Sequence, residues 1–205
     1  MNNLIEESGG KVTGWGMALG TETVTNADLA AKMDTSNEWI LERTGISERR
    51  IGGSTSGLAV RAGQQALEMA GVKATEIDLL ILATTTPDEQ VPATSAIVQD
   101  QLGLTCGAMD LNAACSGFVY SLVTGFGFLK LGFKRILIIG SETLSRITDW
   151  DDRSTAILFG DGAGAVVIEA EKGNGDLLGW NLGCEGSLRD ILYAEIGGTI
   201  VMAGQ

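Results

Sequence analysis

The chain has no histidine, and that is the first thing to weigh in its 205 residues. It removes the commonest neutral metal ligand and the commonest general base, so imidazole chemistry is closed to these residues. Cysteine is also scarce. Three residues at wide spacing, Cys106, Cys115 and Cys184, make neither a disulfide framework nor a zinc site. Thiols kept reduced suit the cytoplasm. Basic residues are few, with 14 Lys and Arg against 26 Asp and Glu, a formal charge of −12. Phosphate backbones need clustered cations, so nucleic acid is excluded as a partner. No apolar run is long enough to span a bilayer, and the opening Met1–Glu7 lacks the basic and apolar regions of a signal peptide.

What is present is a soluble globular composition, 44% hydrophobic and 20% charged, with 29 glycines scattered between apolar runs. Scattered glycines point to tight turns and close packing rather than to a linker. The pattern predicts strands at 11–18, 78–83, 109–111, 135–140 and 163–170. The 78–83 and 135–140 runs are continuously apolar and so buried on both faces. Helices are predicted over 56–70, closed by Gly71, over 92–103 and over 116–131. Shorter helices start at Thr25 and at a capping box spanning Thr35 to Glu38. This alternation predicts an α/β fold, mostly parallel, with helices on both faces. The stretch from Thr199 to Gln205 reads as a strand entering a further element, as in a truncated chain.

Two segments carry candidate chemistry. In Asn112-Ala113-Ala114-Cys115-Ser116-Gly117, small residues flank a cysteine where a strand turns into an apolar helix. That is the logic of a nucleophile elbow, with the helix N-terminus favouring thiolate and offering N–H groups to an oxyanion. By spacing alone the segment equally describes a small buried cysteine. In the second segment, Trp39 and Arg43 lie four residues apart on one helix face. A flat ring beside a guanidinium suits a nucleotide and a phosphate. The pattern also fits an amphipathic surface helix with Trp39 packed inward. A third stretch, Gly160 to Ala165, runs into a strand rather than opening a helix, so it is not a dinucleotide fingerprint.

Together, the Cys115 segment, Asp34 to Ile46 and Phe159-Gly160-Asp161-Gly162-Ala163-Gly164-Ala165 resemble the signature stretches of the beta-ketoacyl-acyl carrier protein synthase III family. Thr25 to Leu29, Ala83 to Thr86 and Gly140-Ser141-Glu142 match in order, so the likeness runs from about residue 11 to 205. The resemblance implies a thiolase-like α/β fold with a mixed sheet. Residues 1–172 would form its N-terminal half and 173–205 the opening strands of a truncated second half. It implies a transferase that initiates type II fatty acid biosynthesis by condensing an acyl-CoA starter, such as acetyl-CoA, with malonyl-acyl carrier protein. No metal or redox cofactor is implied, only coenzyme A thioester as substrate, and the enzyme would be a cytoplasmic homodimer without a membrane partner.

Residue by residue, the resemblance makes Cys115 the acyl-accepting nucleophile. Trp39 and Arg153 would sandwich the coenzyme A adenine, Thr35 would contact it, and Arg43 would lie near the phosphates. Thr85, Leu144 and Phe159 would line the acyl pocket, and Val91 would enter the pocket of the partner subunit. The family's His and Asn have no counterpart here, so this chain alone is expected to be incomplete for condensation. Two other readings are a hydroxymethylglutaryl-CoA synthase relative, against which the Trp39 segment argues, and a non-catalytic ketosynthase partner, against which Cys115 argues.

Overall fold

The computed structural model describes residues 8–172 and 177–194. One five-stranded sheet organises them. Strand β4 (Leu79–Ala83) lies between β5 (Gly107–Leu111) and β6 (Arg135–Thr143), both parallel to it. The sheet continues through β7 (Asp161–Lys172) to β1 (Ser8–Leu19), and both of those pairings are antiparallel. A small antiparallel pair, β2 (Glu22–Thr25) with β3 (Glu48–Ile51), stands apart and encloses helices α1 (Asn26–Ala30) and α2 (Asn37–Thr44). Helices α3 (Thr55–Ala70), α4 (Thr94–Gln101) and α5 (Gly117–Lys130) make the crossovers, and α6 (Arg153–Ala156) precedes β7.

The reason β4 reads as an unbroken apolar run is visible in its surroundings. Leu80 and Leu82 face a cluster with Leu137, Ile139 and Val167 beneath α3. Leu79 and Ile81 face a second cluster with Ile136, Ile138, Ile168 and Leu129 of α5. With a helix on each face, neither side of the strand meets water, and each fully buried Leu or Ile contributes about 1.5–3 kcal/mol. Packing on the α3 side is close enough to forbid side chains. A Cβ added at Gly14 or Gly16 of β1 would stand 2.2 Å from the carbonyl oxygens of Ala66 and Ala62. The glycines and the Ala59–Ala62–Ala66 stripe therefore let helix and strand backbones touch.

The predicted strands and main helices fall within a few residues of these elements. The sheet is mixed rather than mostly parallel. The connection from β6 to β7 carries only the 3₁₀ turn Leu144–Arg146 and the four-residue α6, no long crossover helix, and β7 runs antiparallel to β6. The capping box predicted from Thr35 to Glu38 is a plain cap on Ser36, whose hydroxyl accepts the Trp39 N–H at 3.1 Å. The box at Thr25 and Asp28 does form, with both reciprocal bonds. Residues 177–194 carry a 3₁₀ turn, Gly186–Ile191, and no strand. The strand expected at 199–205 lies outside the described residues. Among the described residues no helix is long and apolar enough to cross a membrane.

Candidate functional site

The C-terminal edge of the parallel strands gathers the chemistry. After β5 the chain must reverse within a few residues, and small side chains permit it. The Asn112 side chain accepts the Ala114 N–H at 3.2 Å, and the Ser116 N–H donates to Ala113 O at 3.1 Å. Between them Ala114 adopts φ +47°, a left-handed conformation that costs a non-glycine residue about 1–2 kcal/mol. Such strain persists where the surroundings fix it. Here they do: Gly117, which opens α5, lies so close to β4 that an added Cβ would sit 3.2 Å from Ala83 Cβ. The tight elbow leaves Cys115 in the 3₁₀ turn Ala114–Ser116, just ahead of α5, with its side chain exposed.

Cys115 borders a cavity of about 620 Å³ that Thr85, Leu144 and Phe159 also line, together with Glu142 and Phe118. Leu192 and Tyr193 close one side, and the Tyr120 hydroxyl of α5 donates to Gly183 O at 3.0 Å, tying that segment down. The other thiols differ in setting. Cys106 is half-buried, and burial pushes its thiol pKa up, while Cys184 is exposed but lies outside the cavity lining.

A second assembly forms where α2 meets the start of α6. The Arg43 guanidinium lies 4.2 Å from the Trp39 ring centroid and that of Arg153 lies 4.6 Å from it. Arg43 comes from the same helix, one turn on. Arg153 comes from α6 and is fixed by donating to Asp34 O at 2.6 Å, with the Asp34 carboxylate 3.8 Å away. The Thr35 hydroxyl oxygen nearby is buried without a hydrogen-bond partner. Both cations thus stack on one indole, whereas the resemblance implied Arg153 across an adenine from the ring and Arg43 near the phosphates. Val91 stands apart from either assembly. It is 82% exposed on the loop between β4 and α4 and does not line the cavity.

Residues that were not singled out in the sequence prove structurally decisive. Carboxylates hold the loops around the site by accepting backbone N–H groups: Asp88 from Thr55 and Ser56, Asp110 from Thr94 and Ser95, Asp161 from Gly52 and Ser145. The first two sit at helix N-termini, where negative charge is favoured. Glu142 is the fourth, and it faces the cavity itself. Its signal was available, since it is an acidic residue at the end of a buried apolar strand. Among the described residues no group of three or more His, Cys, Asp or Glu side chains converges on a metal-sized space.

Residues 109–186 match the family model described as 3-Oxoacyl-[acyl-carrier-protein (ACP)] synthase III. The chain is 51% identical over 194 residues to a Beta-ketoacyl-[acyl-carrier-protein] synthase III of Erythrobacter litoralis, covering 91% of this chain and 60% of that protein. It is 58% identical over 166 residues to one of Bradyrhizobium diazoefficiens, covering 78% of this chain and 51% of the relative. A crystal structure of the Pseudomonas aeruginosa PAO1 3-oxoacyl-(acyl carrier protein) synthase III superposes with a TM-score of 0.88 at 40% identity, over 94% of this chain and 62% of that one. The chain therefore spans roughly half to three-fifths of the length of these relatives. With identities near one residue in two and a TM-score of 0.88, the chain is similar to part of the beta-ketoacyl-[acyl-carrier-protein] synthase III proteins and shares their thiolase-like α/β fold.

Proposed function

We propose that Cys115 accepts an acyl group from an acyl-CoA thioester, the first half of the condensation that initiates fatty acid synthesis. One observation carries this: a strained elbow presents an exposed sulfur to a largely apolar cavity, with the Trp39–Arg43–Arg153 assembly available for the nucleotide end of the donor. The Cys115 thiolate attacks the thioester carbonyl carbon, the carbonyl electrons move to oxygen, and coenzyme A leaves as its thiolate. The Ala114 and Ser116 N–H groups are engaged by Asn112 Oδ1 and Ala113 O, and the Cys115 N–H lies between them. It is the donor proposed for the oxyanion.

In the complete relatives the second half would follow on the same sulfur. Malonyl-acyl carrier protein loses carbon dioxide, and its carbanion attacks the acyl-enzyme and expels the cysteine thiolate. Donors that stabilise such an enolate are needed, and the histidine that the family resemblance implies is not in this sequence. The thioester activates both partners, so the reaction proposed calls on no metal or redox cofactor. The working unit is proposed to be a cytoplasmic homodimer. The exposed Val91, outside the lining of its own cavity, supports a role across a two-fold interface.

The test is intact-protein mass spectrometry after incubation with acetyl-CoA. The expected result is one acetyl mass increment, mapped to Cys115 and absent from Cys115→Ala. Label on Cys106 or Cys184 instead would overturn the assignment. Light scattering decides the dimer.

A further inference from the structure

Three carboxylates, Glu142, Asp149 and Asp152, line the cavity beside Cys115, and Glu142 is held by four donors from the threonines after β4. Oε1 of Glu142 accepts the Thr85 N–H at 2.7 Å. Oε2 accepts three hydroxyls: Thr86 at 2.6 Å, Thr85 at 3.1 Å and Thr84 at 3.4 Å. No ion pair among the described residues includes it. A carboxylate turned toward an apolar cavity is costly unless donors surround it, and here both oxygens are engaged.

The clamp is itself held from below. Thr86 Oγ1 also accepts the Thr143 N–H at 2.9 Å. The Thr55 hydroxyl donates to Thr86 O at 2.6 Å and lies 2.9 Å from the Thr143 hydroxyl, all in fully buried surroundings. Glu142 at the end of β6 is thereby joined to the three threonines that follow β4, and both to the first turn of α3.

We infer that Glu142 is a specificity-determining positioning residue, which holds the Thr85 hydroxyl away from the acyl chain so that an apolar starter meets no free polar group. Thr85 lines the cavity, yet its N–H and hydroxyl are both engaged by Glu142. What remains of its side chain for a starter is the methyl group. The carboxylate and the hydroxyls cancel one another's demands, and the wall behaves as apolar despite its composition. This rests on the acyl-accepting role proposed for Cys115.

The experiment measures modification of Cys115 by intact mass with two reagent pairs: acetyl-CoA against hexanoyl-CoA, and iodoacetamide against N-hexyliodoacetamide. Glu142→Gln places an amide N–H₂ against hydroxyl donors and releases Thr85. The hexyl-to-short rate ratio is expected to fall on the order of tenfold in both pairs, because a freed hydroxyl must be desolvated by the longer chain. Adding Thr85→Val to Glu142→Gln should restore the ratio, a recovery that mere loosening of the fold would not give. An unchanged ratio in Glu142→Gln, or no recovery in the double variant, overturns the inference. Should Glu142→Gln fail to fold, Thr85→Val alone decides. It should leave the ratio as in the parent chain, since the hydroxyl is already withdrawn, and a tenfold gain for hexyl reagents would show the hydroxyl facing the chain and refute the proposal. Failure of both thioesters with normal alkylation counts against the acyl-accepting role alone, and the alkylation ratio still judges Glu142.

Discussion

The elbow at Cys115 and the Trp39 assembly are built in opposite ways. At the elbow the backbone does the positioning: a left-handed Ala114, an α5 start pressed against Ala83, and a buried lattice of threonines and Glu142. At Trp39 the parts are long exposed side chains, two guanidiniums stacked on one ring and held by single contacts to Asp34 and the Trp39 carbonyl. A reacting sulfur must stand within a few tenths of an ångström of its target, and only fixed backbone supplies that. A nucleotide tail far from the reacting bond needs attraction, which flexible cations on an indole provide while remaining free to part and admit a base.

The comparison can be broken from either side. Cys115→Ser should bring acyl loading to background, since the hydroxyl lacks the thiolate's nucleophilicity and this sequence has no histidine to activate it. Loading that persists, read by intact mass, would remove Cys115 from its role. Trp39→Ala should weaken coenzyme A binding by tenfold or more, since stacking on a base contributes about 1–3 kcal/mol. Calorimetric titration checks this, and alkylation of Cys115 should be unaffected because the elbow does not depend on the indole.

Ala114→Val tests the elbow in turn. A β-branched side chain at φ +47° is strained by about 1–3 kcal/mol, so loading should slow about tenfold while coenzyme A affinity holds. Ala114→Gly should load at least as fast as the parent. The smallest effect lies at the α1 cap. The Asp28 carboxyl is held below its usual range, chiefly by the Thr25 hydroxyl and then by the Thr25 N–H. A depressed carboxyl stabilises the fold above its unfolded pKa and loses that contribution as pH falls through the folded value. Thr25→Val should therefore lower the melting temperature slightly at neutral pH, and the difference should shrink in acid. A difference independent of pH would assign the loss to something other than the cap.

Much of this was legible in the sequence because local rules sufficed. Unbroken apolar runs at β4 and β6, the Gly71 stop after α3 and the small residues around Cys115 each have one ready physical meaning. Strand direction was not legible, since nothing in the 163–170 pattern says which way the strand points. Its antiparallel course goes with a connection that stays at one end of the sheet, without a long crossover helix. Thr35 and Ser36 show the same limit. Either could cap α2 by sequence, and the backbone chose Ser36, leaving the Thr35 hydroxyl buried and unpaired.

The sequence by itself determined the α/β class, the nucleophile candidate and the family resemblance, because these depend on residue type and spacing along one stretch of chain. Only the tertiary structure decided that Glu142 faces the cavity with both oxygens engaged by the threonines after β4, that Arg43 and Arg153 share one indole, and that Val91 stands outside the lining of its own cavity. Those facts join residues up to 114 positions apart (Trp39 to Arg153). Contacts at such separation are fixed by how helices and sheet pack, and no local pattern encodes them.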